Sequence, residues 1–582
     1  MLSSFKTLSS IVSFLDSYLE KTHPKFFGRQ ACHPYSSLKR SKILHDNLWG
    51  TNRFTWRELA IIDSPIFQRL RFIHQIGLAY HVYMSAHHTR FEHSLGVVII
   101  ASRIFEKILE HQGKDVDTII NSIWPKINLR TQIPRIKQEL RLAALLHDTG
   151  HSLFSHTSEH VYGKIHKIQQ AKEELSDLTG KSKGAGEVLS FCLAKTDSIQ
   201  DLLGRAKSNL LEEEYHSDEY QGEIDFNNVA LMIVGRSVHP YLQFLGDIIS
   251  SGFDADKLDY LLRDATNAGL PLRYDLERYL FSVCLEKNLL ADDEGKLESL
   301  YRGSFSGFNL EKREAGDYRS KYPCYETYRM RLPVKALNTI EQIIICKLML
   351  FSYIYHHQKV RAAEGLLQKI LERLVKQWRD QANLDDDQIL AKFLDFTDLA
   401  LDGDLKKETI NTEIEEYRYR IMYRLLPREV YSLGSPSASH AERKSLSDFL
   451  AAVIDPDKKI TTIRQLEIAI GSELLRQSSN LATDPEEALW KAGVWVDAPK
   501  SPEFEDIEEL IMHRPHSGVT IPLPRVFPIG EWLDAYKSFR YRVRIFCFSE
   551  YRELVQRAAR RAMETELNLV SNEFYQNILR RR

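Results

Sequence analysis

Residues 143–160, AALLHDTGHSLFSHTSEH, constrain this chain more than any other stretch. An apolar run from Leu140 to Leu146 delivers His147 and Asp148 side by side. A Thr149-Gly150 break follows, and then His151, His156 and Glu159. Adjacent imidazole and carboxylate at the end of a buried helix offer a transition metal one neutral nitrogen and one anionic oxygen, a donor set suited to Zn, Mn or Fe. A lone His-Asp pair is more often structural. Three further imidazole or carboxylate groups so close in sequence make ligation the stronger reading.

A metal needs more than two ligands, and two distant segments can supply them. Residues 90–96, RFEHSLG, open a second apolar helix with Val97, Val98, Ile99, Ile100 and Ile104 behind His93. Residues 252–264, GFDADKLDYLLRD, set Asp254, Asp256, Asp259 and Asp264 in a short span. The proposed metal set is His93, His147, Asp148 and one acid of this last span, a donor set that can bind one divalent ion and leave positions for water. On the residues alone, Asp254 and Asp259 are rivals for the place of Asp256.

The order His … His-Asp … Asp resembles the HD-domain metallophosphohydrolases, and within them the deoxynucleoside triphosphate triphosphohydrolases. Four segments carry the resemblance: residues 62–71 with Gln75 and Gly77, then 90–96, 147–159 and 254–264. Tyr355-His356-His357 near Arg361 matches less closely, and a fainter echo lies at Arg544-Ile545-Phe546 and Tyr551-Arg552-Glu553. The resemblance implies a helical core, a divalent ion (Mn, Mg, Fe or Zn) and a nucleotide substrate, a deoxynucleoside triphosphate cleaved to nucleoside and triphosphate. It also implies a homo-oligomer, dimer or tetramer. The family's Asp-x-Asp-Lys pattern places the ligand at the second acid, Asp256. His151 resembles the catalytic histidine and Glu159 the acid that orients it, while His156, His160 and His166 are read as packing or surface groups.

The same comparison implies substrate contacts. Lys257 matches a phosphate holder, Tyr260 a residue bordering the deoxyribose, and Asp264 an acceptor for its hydroxyl. Arg90 matches an arginine facing phosphate or base, Gln75 a residue beside the sugar, and Tyr355 the tyrosine that closes the sugar pocket. Asp63, Gln68 and Arg71 match residues that read a regulatory nucleotide in animal relatives, but His45 departs from that pattern, and the run is read as anchoring its helix. One departure bears on turnover: where relatives carry a second active-site histidine in His-Glu-x-x-Ser, this chain reads Gly186-Glu187-Val188-Leu189-Ser190. General acid catalysis contributes about 10²–10⁴-fold, so the glycine leaves open a nuclease, a modified-nucleotide phosphohydrolase or a weakly catalytic nucleotide sensor on the same scaffold.

Bulk properties bound the rest. At 582 residues the chain exceeds one comfortable core, and its breaks suggest a helical N-terminal segment (1–40), a phosphohydrolase core (41–370) and a mostly helical C-terminal lobe (371–582). Hydrophobic content of 43% with 27% charged residues is ordinary for a globular protein. A net charge of −2 excludes a global field for nucleic acid or anionic membrane, although a local basic loop leaves single-stranded nucleic acid open. Six scattered cysteines argue against a disulfide framework and favour a reducing compartment. No charged-then-apolar leader opens the chain, and the longest apolar stretch, 343–351, is short and interrupted by Lys347. The expectation is a cytoplasmic protein with no membrane partner.

Apolar residues at three- and four-residue spacing dominate, in residues 95–109, 136–146, 256–262, 339–355 and 363–374. Residues 80–83 and 541–548 alternate as strands do. A mainly α fold with minor β elements follows. Residues 180–186, 434–439 and 501–524 read as loops, and 374–420 as a solvated helical surface.

Overall fold

The computed structural model describes residues 5–28, 41–125, 129–208, 222–291, 324–410, 412–434, 443–454, 456–499, 511–514, 519–540 and 542–567. The fold is mainly helical. Its scaffold is the pair Arg90–Ile123 and Leu129–Leu146, each apolar on the face toward the other, with Val97, Val98, Ile100, Leu140, Ala143 and Ala144 all buried. The helix Ala255–Asn267 crosses the first of these at Gly96. A Cβ on Gly96 would stand 2.0 Å from Asp259 Oδ1 and 2.5 Å from Arg263 Nη2, so glycine leaves the room that this buried ion pair fills.

The N-terminal helix Lys6–Thr22 buries Leu8, Ile11, Leu15, Tyr18 and Leu19. Glu174 accepts from the Thr7 and Leu8 amides at 2.9 and 2.8 Å, and the Tyr18 hydroxyl donates to Asp395 at 2.6 Å. This segment therefore shares the main core instead of standing apart from it. The hairpin Ser41–Asp46/Gly50–Thr55 leads into the helix Trp56–Ile62, started by a Thr55/Glu58 capping box.

Two further sheets lie downstream. One has the order Cys284–Ala291, Cys324–Pro333, Ile511–Arg514, Val519–Pro522; the other places Val543–Cys547 between Arg428–Leu433 and Trp495–Asp497. The second sheet carries its own apolar cluster, with Val430, Ile470, Val496, Ile545 and Ala558 among its buried members. The main core continues through Leu426, and the helix Gln358–Asp380 runs unbroken through the boundary expected at residue 370.

Several expectations change. Residues 80–83 lie at the end of and just beyond the 3₁₀ turn Gly77–His81 instead of in a strand, because Tyr80 packs its ring on His74 and His87. Gly186 is not in a loop but in the first turn of the helix Ala185–Ala194. The span 374–420 is not all solvated: Ile389, Leu390, Phe393, Leu394 and Asp398 are buried. Residues 334–355 form a continuous helical segment of 22 residues with mean hydropathy 1.3, long and apolar enough to cross a membrane. Ile340, Ile343, Ile344, Leu348 and Leu350 pack into the core, so it is read as a core helix. Of the spans expected as loops, 435–439, 501–510 and 515–518 lie outside the described residues, whereas Ile511–Arg514 and Val519–Pro522 are paired strands and not loop. Among the described residues, Cys192, Cys284, Cys346 and Cys547 are free thiols.

Candidate metal and phosphohydrolase centre

Three elements meet at one place. The first turn of Arg90–Ile123 supplies His93, the end of Leu129–Leu146 supplies His147 and Asp148, and the first turn of Ala255–Asn267 supplies Asp256. Ligand atoms of His93, His147 and Asp148 all fall within 4.8 Å of one another. Asp256 Oδ1 stands 3.0 Å from His93 Nε2 and 3.8 Å from His147 Nε2. The four side chains converge, with His93 and Asp148 almost wholly enclosed.

The other ring nitrogens are already engaged. His93 Nδ1 bonds Asp259 Oδ2 at 2.8 Å, and His147 Nδ1 donates to the Ala144 carbonyl at 2.7 Å. Each bond fixes the tautomer that leaves Nε2 as the inward lone pair, the support that metal-bound histidines usually have. Both Nε2 atoms are buried without a hydrogen-bond partner among the described residues. Such orphaned nitrogens facing two carboxylates fit a divalent cation.

Electrostatics agrees. Burial disfavours an imidazolium at His93, yet the facing carboxylates of Asp256 and Asp259 outweigh it and lift its pKa to about 10, so without a cation the pocket draws a proton to the place a cation would take. Burial likewise opposes ionisation of Asp148, but Arg90, His147 and His151 hold its carboxyl well below the usual range. The centre thus concentrates negative charge and favours a cation.

The rival acids acquire separate work. Asp254 caps its helix, accepting from the Lys257 amide at 2.7 Å, and also takes the Lys257 ammonium at 2.8 Å. Asp259 braces His93 and pairs with Arg263 Nε at 2.7 Å, and the Trp49 indole also donates to it. Asp256 alone of the three faces both Nε2 atoms.

A second cluster borders the first. His151, His156 and Glu159 bring ligand-type atoms together within 4.8 Å. Glu159 does not bond His151: its Oε2 pairs with His156 Nδ1 at 2.9 Å and its Oε1 accepts from the Gly186 amide at 3.1 Å. The expected Glu159–His151 pairing is therefore corrected to Glu159–His156, and His156 is no bystander. Spacing explains the miss, since a three-residue offset on the short helix His156–Tyr162 is what aligns the pair. His151 is buried, its Nε2 is 3.3 Å from Asp148 Oδ1, and burial followed by the Arg90 charge pushes its imidazole down to about 3.

Gly186 lies against the His151 ring. A Cβ there would stand 2.6 Å from ring Cε1, 2.7 Å from Nε2 and 2.8 Å from Nδ1. The position has no room for a second imidazole unless His151 moves.

The expected substrate residues also gather here, with differing freedom. Arg90 Nη1 donates to Asp148 at 2.5 Å and its Nε to Ser155 at 2.8 Å, while Nη2 is buried without a partner among the described residues. Asp264 accepts from the Tyr355 hydroxyl at 2.5 Å and pairs with His88 Nε2 at 2.8 Å. Tyr355 closes the π-helical turn Phe351–Tyr355, a distortion frequent at functional sites. Gln75 Oε1 is buried without a partner among the described residues, and Tyr260 is half-buried. Lys257 is tied to Asp254 and to the Ser251 carbonyl at 2.7 Å, so its ammonium is already engaged. In the regulatory-type run, Arg71 Nε donates to Gln68, Gln68 bonds the Ile62 carbonyl and Lys42 pairs with Asp63. These contacts stay within the fold.

Comparison with known proteins bears on this geometry. Residues 90–215 match the HD domain model. An uncharacterised protein of Methanocaldococcus jannaschii is 26% identical over 383 residues, covering 65% of this chain and 60% of that protein. The deoxynucleoside triphosphate triphosphohydrolase of Bos taurus is 30% identical over 274 residues, covering 45% of this chain and 42% of that one. Its Dictyostelium discoideum homologue is 28% identical over 282 residues. The chain thus spans less than two thirds of the length of these relatives. A hypothetical protein of Aquifex aeolicus, known from a crystal structure, shares the fold with TM-score 0.53 at 20% identity, over 89% of this chain and 99% of that one.

Proposed function

From a chain that carries an HD domain, we propose a metal-dependent phosphohydrolase of nucleoside triphosphates that acts on deoxynucleoside triphosphates and releases deoxynucleoside and intact triphosphate. The observation that carries the reading is the pair of inward Nε2 atoms of His93 and His147, each locked by its opposite nitrogen and faced by Asp148 and Asp256. A divalent ion held by these four side chains would supply Lewis-acid polarisation and a water acidic enough to attack at neutral pH.

The remaining residues divide the work. Arg90, neutralised on one side by Asp148, keeps Nη2 for a phosphate oxygen. Asp264 holds the Tyr355 hydroxyl, and the two form a polar edge against which a sugar hydroxyl can bond. His156, oriented through Nδ1 by Glu159, can pass a proton from Nε2 to the departing ester oxygen. His151 stays neutral at neutral pH and lies between this pair and Asp148. Assembly into dimers or tetramers and a cytoplasmic setting belong to the same proposal.

The test is a panel of deoxynucleotides, ribonucleotides and single-stranded DNA with Mn²⁺ or Mg²⁺, products separated by anion exchange. Triphosphate and deoxynucleoside in equal amounts from deoxynucleotides are expected. Degradation of single-stranded DNA with nucleotides untouched would replace this reading with a nuclease; nucleotide binding without any product would make the protein a sensor.

A further inference from the structure

The backbone just before His156 takes a conformation that side chains rarely adopt. Phe154 and Ser155 have φ of 47° and 55°, and Ser155 combines this with ψ of −120°. Two consecutive residues of this kind persist only where their surroundings over-determine them, and such strain gathers at functional sites.

The restraint comes from far along the chain. Asp398, at the start of the turn Asp398–Leu401, accepts from the Phe154 amide through Oδ1 at 2.5 Å, across 244 positions of sequence. Its Oδ2 accepts from the His74 amide at 2.7 Å and pairs with His74 Nδ1 at 2.5 Å. Asp398 is buried, so these bonds form away from competing water. The two clamped backbones are also joined to each other: the Ser155 hydroxyl donates to the His74 carbonyl at 2.7 Å and accepts from Arg90 Nε at 2.8 Å. Arg90 in turn reaches Asp148.

We propose that Asp398 is a positioning residue for the active site: by clamping His74 and the Phe154–Ser155 backbone it places the His156–Glu159 pair and the Arg90–Asp148 pair. It lies outside residues 90–215, which match the HD domain, so the site is completed by a carboxylate from the C-terminal third. The HD-domain segment alone would lack this restraint. The inference rests on the hydrolase reading for what the positioned groups do, but not for the clamp itself.

The full chain carrying Asp398→Ala tests it, with Asp398→Asn beside it. Asparagine keeps one acceptor oxygen for the Phe154 amide while presenting an NH₂ to the two donors of His74. For deoxynucleotide hydrolysis, kcat is expected to fall about 10–100-fold in the alanine variant, as for other residues that hold catalytic groups in place. KM should stay within about threefold, and asparagine should restore part of the loss. NMR of isotope-labelled histidine should show the His156 Nδ1–H···Glu159 bond weakened in both variants. An unaltered His156 Nδ1 signal, or full kcat in a variant that loses only melting temperature, overturns the proposal. If alanine prevents folding, asparagine decides by the same two readouts. A wild-type chain that cleaves no deoxynucleotide defeats the hydrolase reading, and the His156 signal then judges the clamp by itself.

Discussion

The two histidine clusters of this site differ in how much freedom they have. In the first, His93 and His147 are enclosed and each Nδ1 is fixed by Asp259 or the Ala144 carbonyl. In the second, the His156 side chain is 75% exposed and is held by a single carboxylate, Glu159. Rigid, dehydrated nitrogens suit a bound cation, whose ligands must not reorganise. An exposed imidazole on a carboxylate suits proton exchange with a passing group. In the proposed function one donor type thus serves two purposes according to burial and bracing.

The sharpest way to break this division is at the enclosed cluster. His147→Ala or Asp148→Ala should abolish bound metal and hydrolysis together, read by elemental analysis beside the nucleotide assay. Activity surviving in either variant would remove the assignment. The exposed cluster should separate the two readouts: Glu159→Gln or His156→Ala should lower kcat by about 10²–10⁴-fold with metal content unchanged. A loss of metal in those variants would merge the clusters into one ligand set.

Gly186 sharpens the boundary between them. Because the His151 ring fills the space beside it, Gly186→His should not restore a missing acid. It should displace His151 and lower kcat by roughly tenfold, the scale expected for a misplaced group. A faster enzyme would show that an imidazole is accommodated there. The smallest effect lies away from the site. Burial pushes His239 down to about 3, and its Nδ1 accepts from the Tyr241 amide, so the neutral ring is the native one. The unfolded chain takes up that proton near the ordinary histidine value while the folded chain resists until about 3. Folding is therefore opposed progressively as pH drops through that window. Urea midpoints should fall from pH 7 to pH 5, and less so in His239→Phe; equal slopes would refute the contribution.

What could be read in advance depended on sequence distance. His147 and Asp148 end one apolar helix and His93 begins another, so local pattern exposed them. Asp256 could be preferred to Asp254 and Asp259 only through the family resemblance, because helix capping by Asp254 and bracing by Asp259 are contacts made on folding. The Glu159–His156 bond was within reach of helical spacing and was missed because Glu159 was matched to His151. Asp398 gave no local signal: it sits in a charged stretch that looks solvated, and its partners lie 244 and 324 positions earlier. Tyr80 to Tyr83 alternated like a strand because aromatic packing in a 3₁₀ turn produced the same pattern of residues.

The apolar helix that ends in the Tyr355 turn has a consequence for how the chain is made. A segment this greasy is a liability while it is uncovered. Its anchors come from residues synthesised earlier: Cys346 reaches the Arg273 carbonyl, and Gln342 accepts from the Asp275 amide. As it leaves the ribosome, the helices Ala255–Asn267 and Leu276–Ser282 that cover part of it have already been translated, so the order of synthesis itself shortens the time that part spends in water.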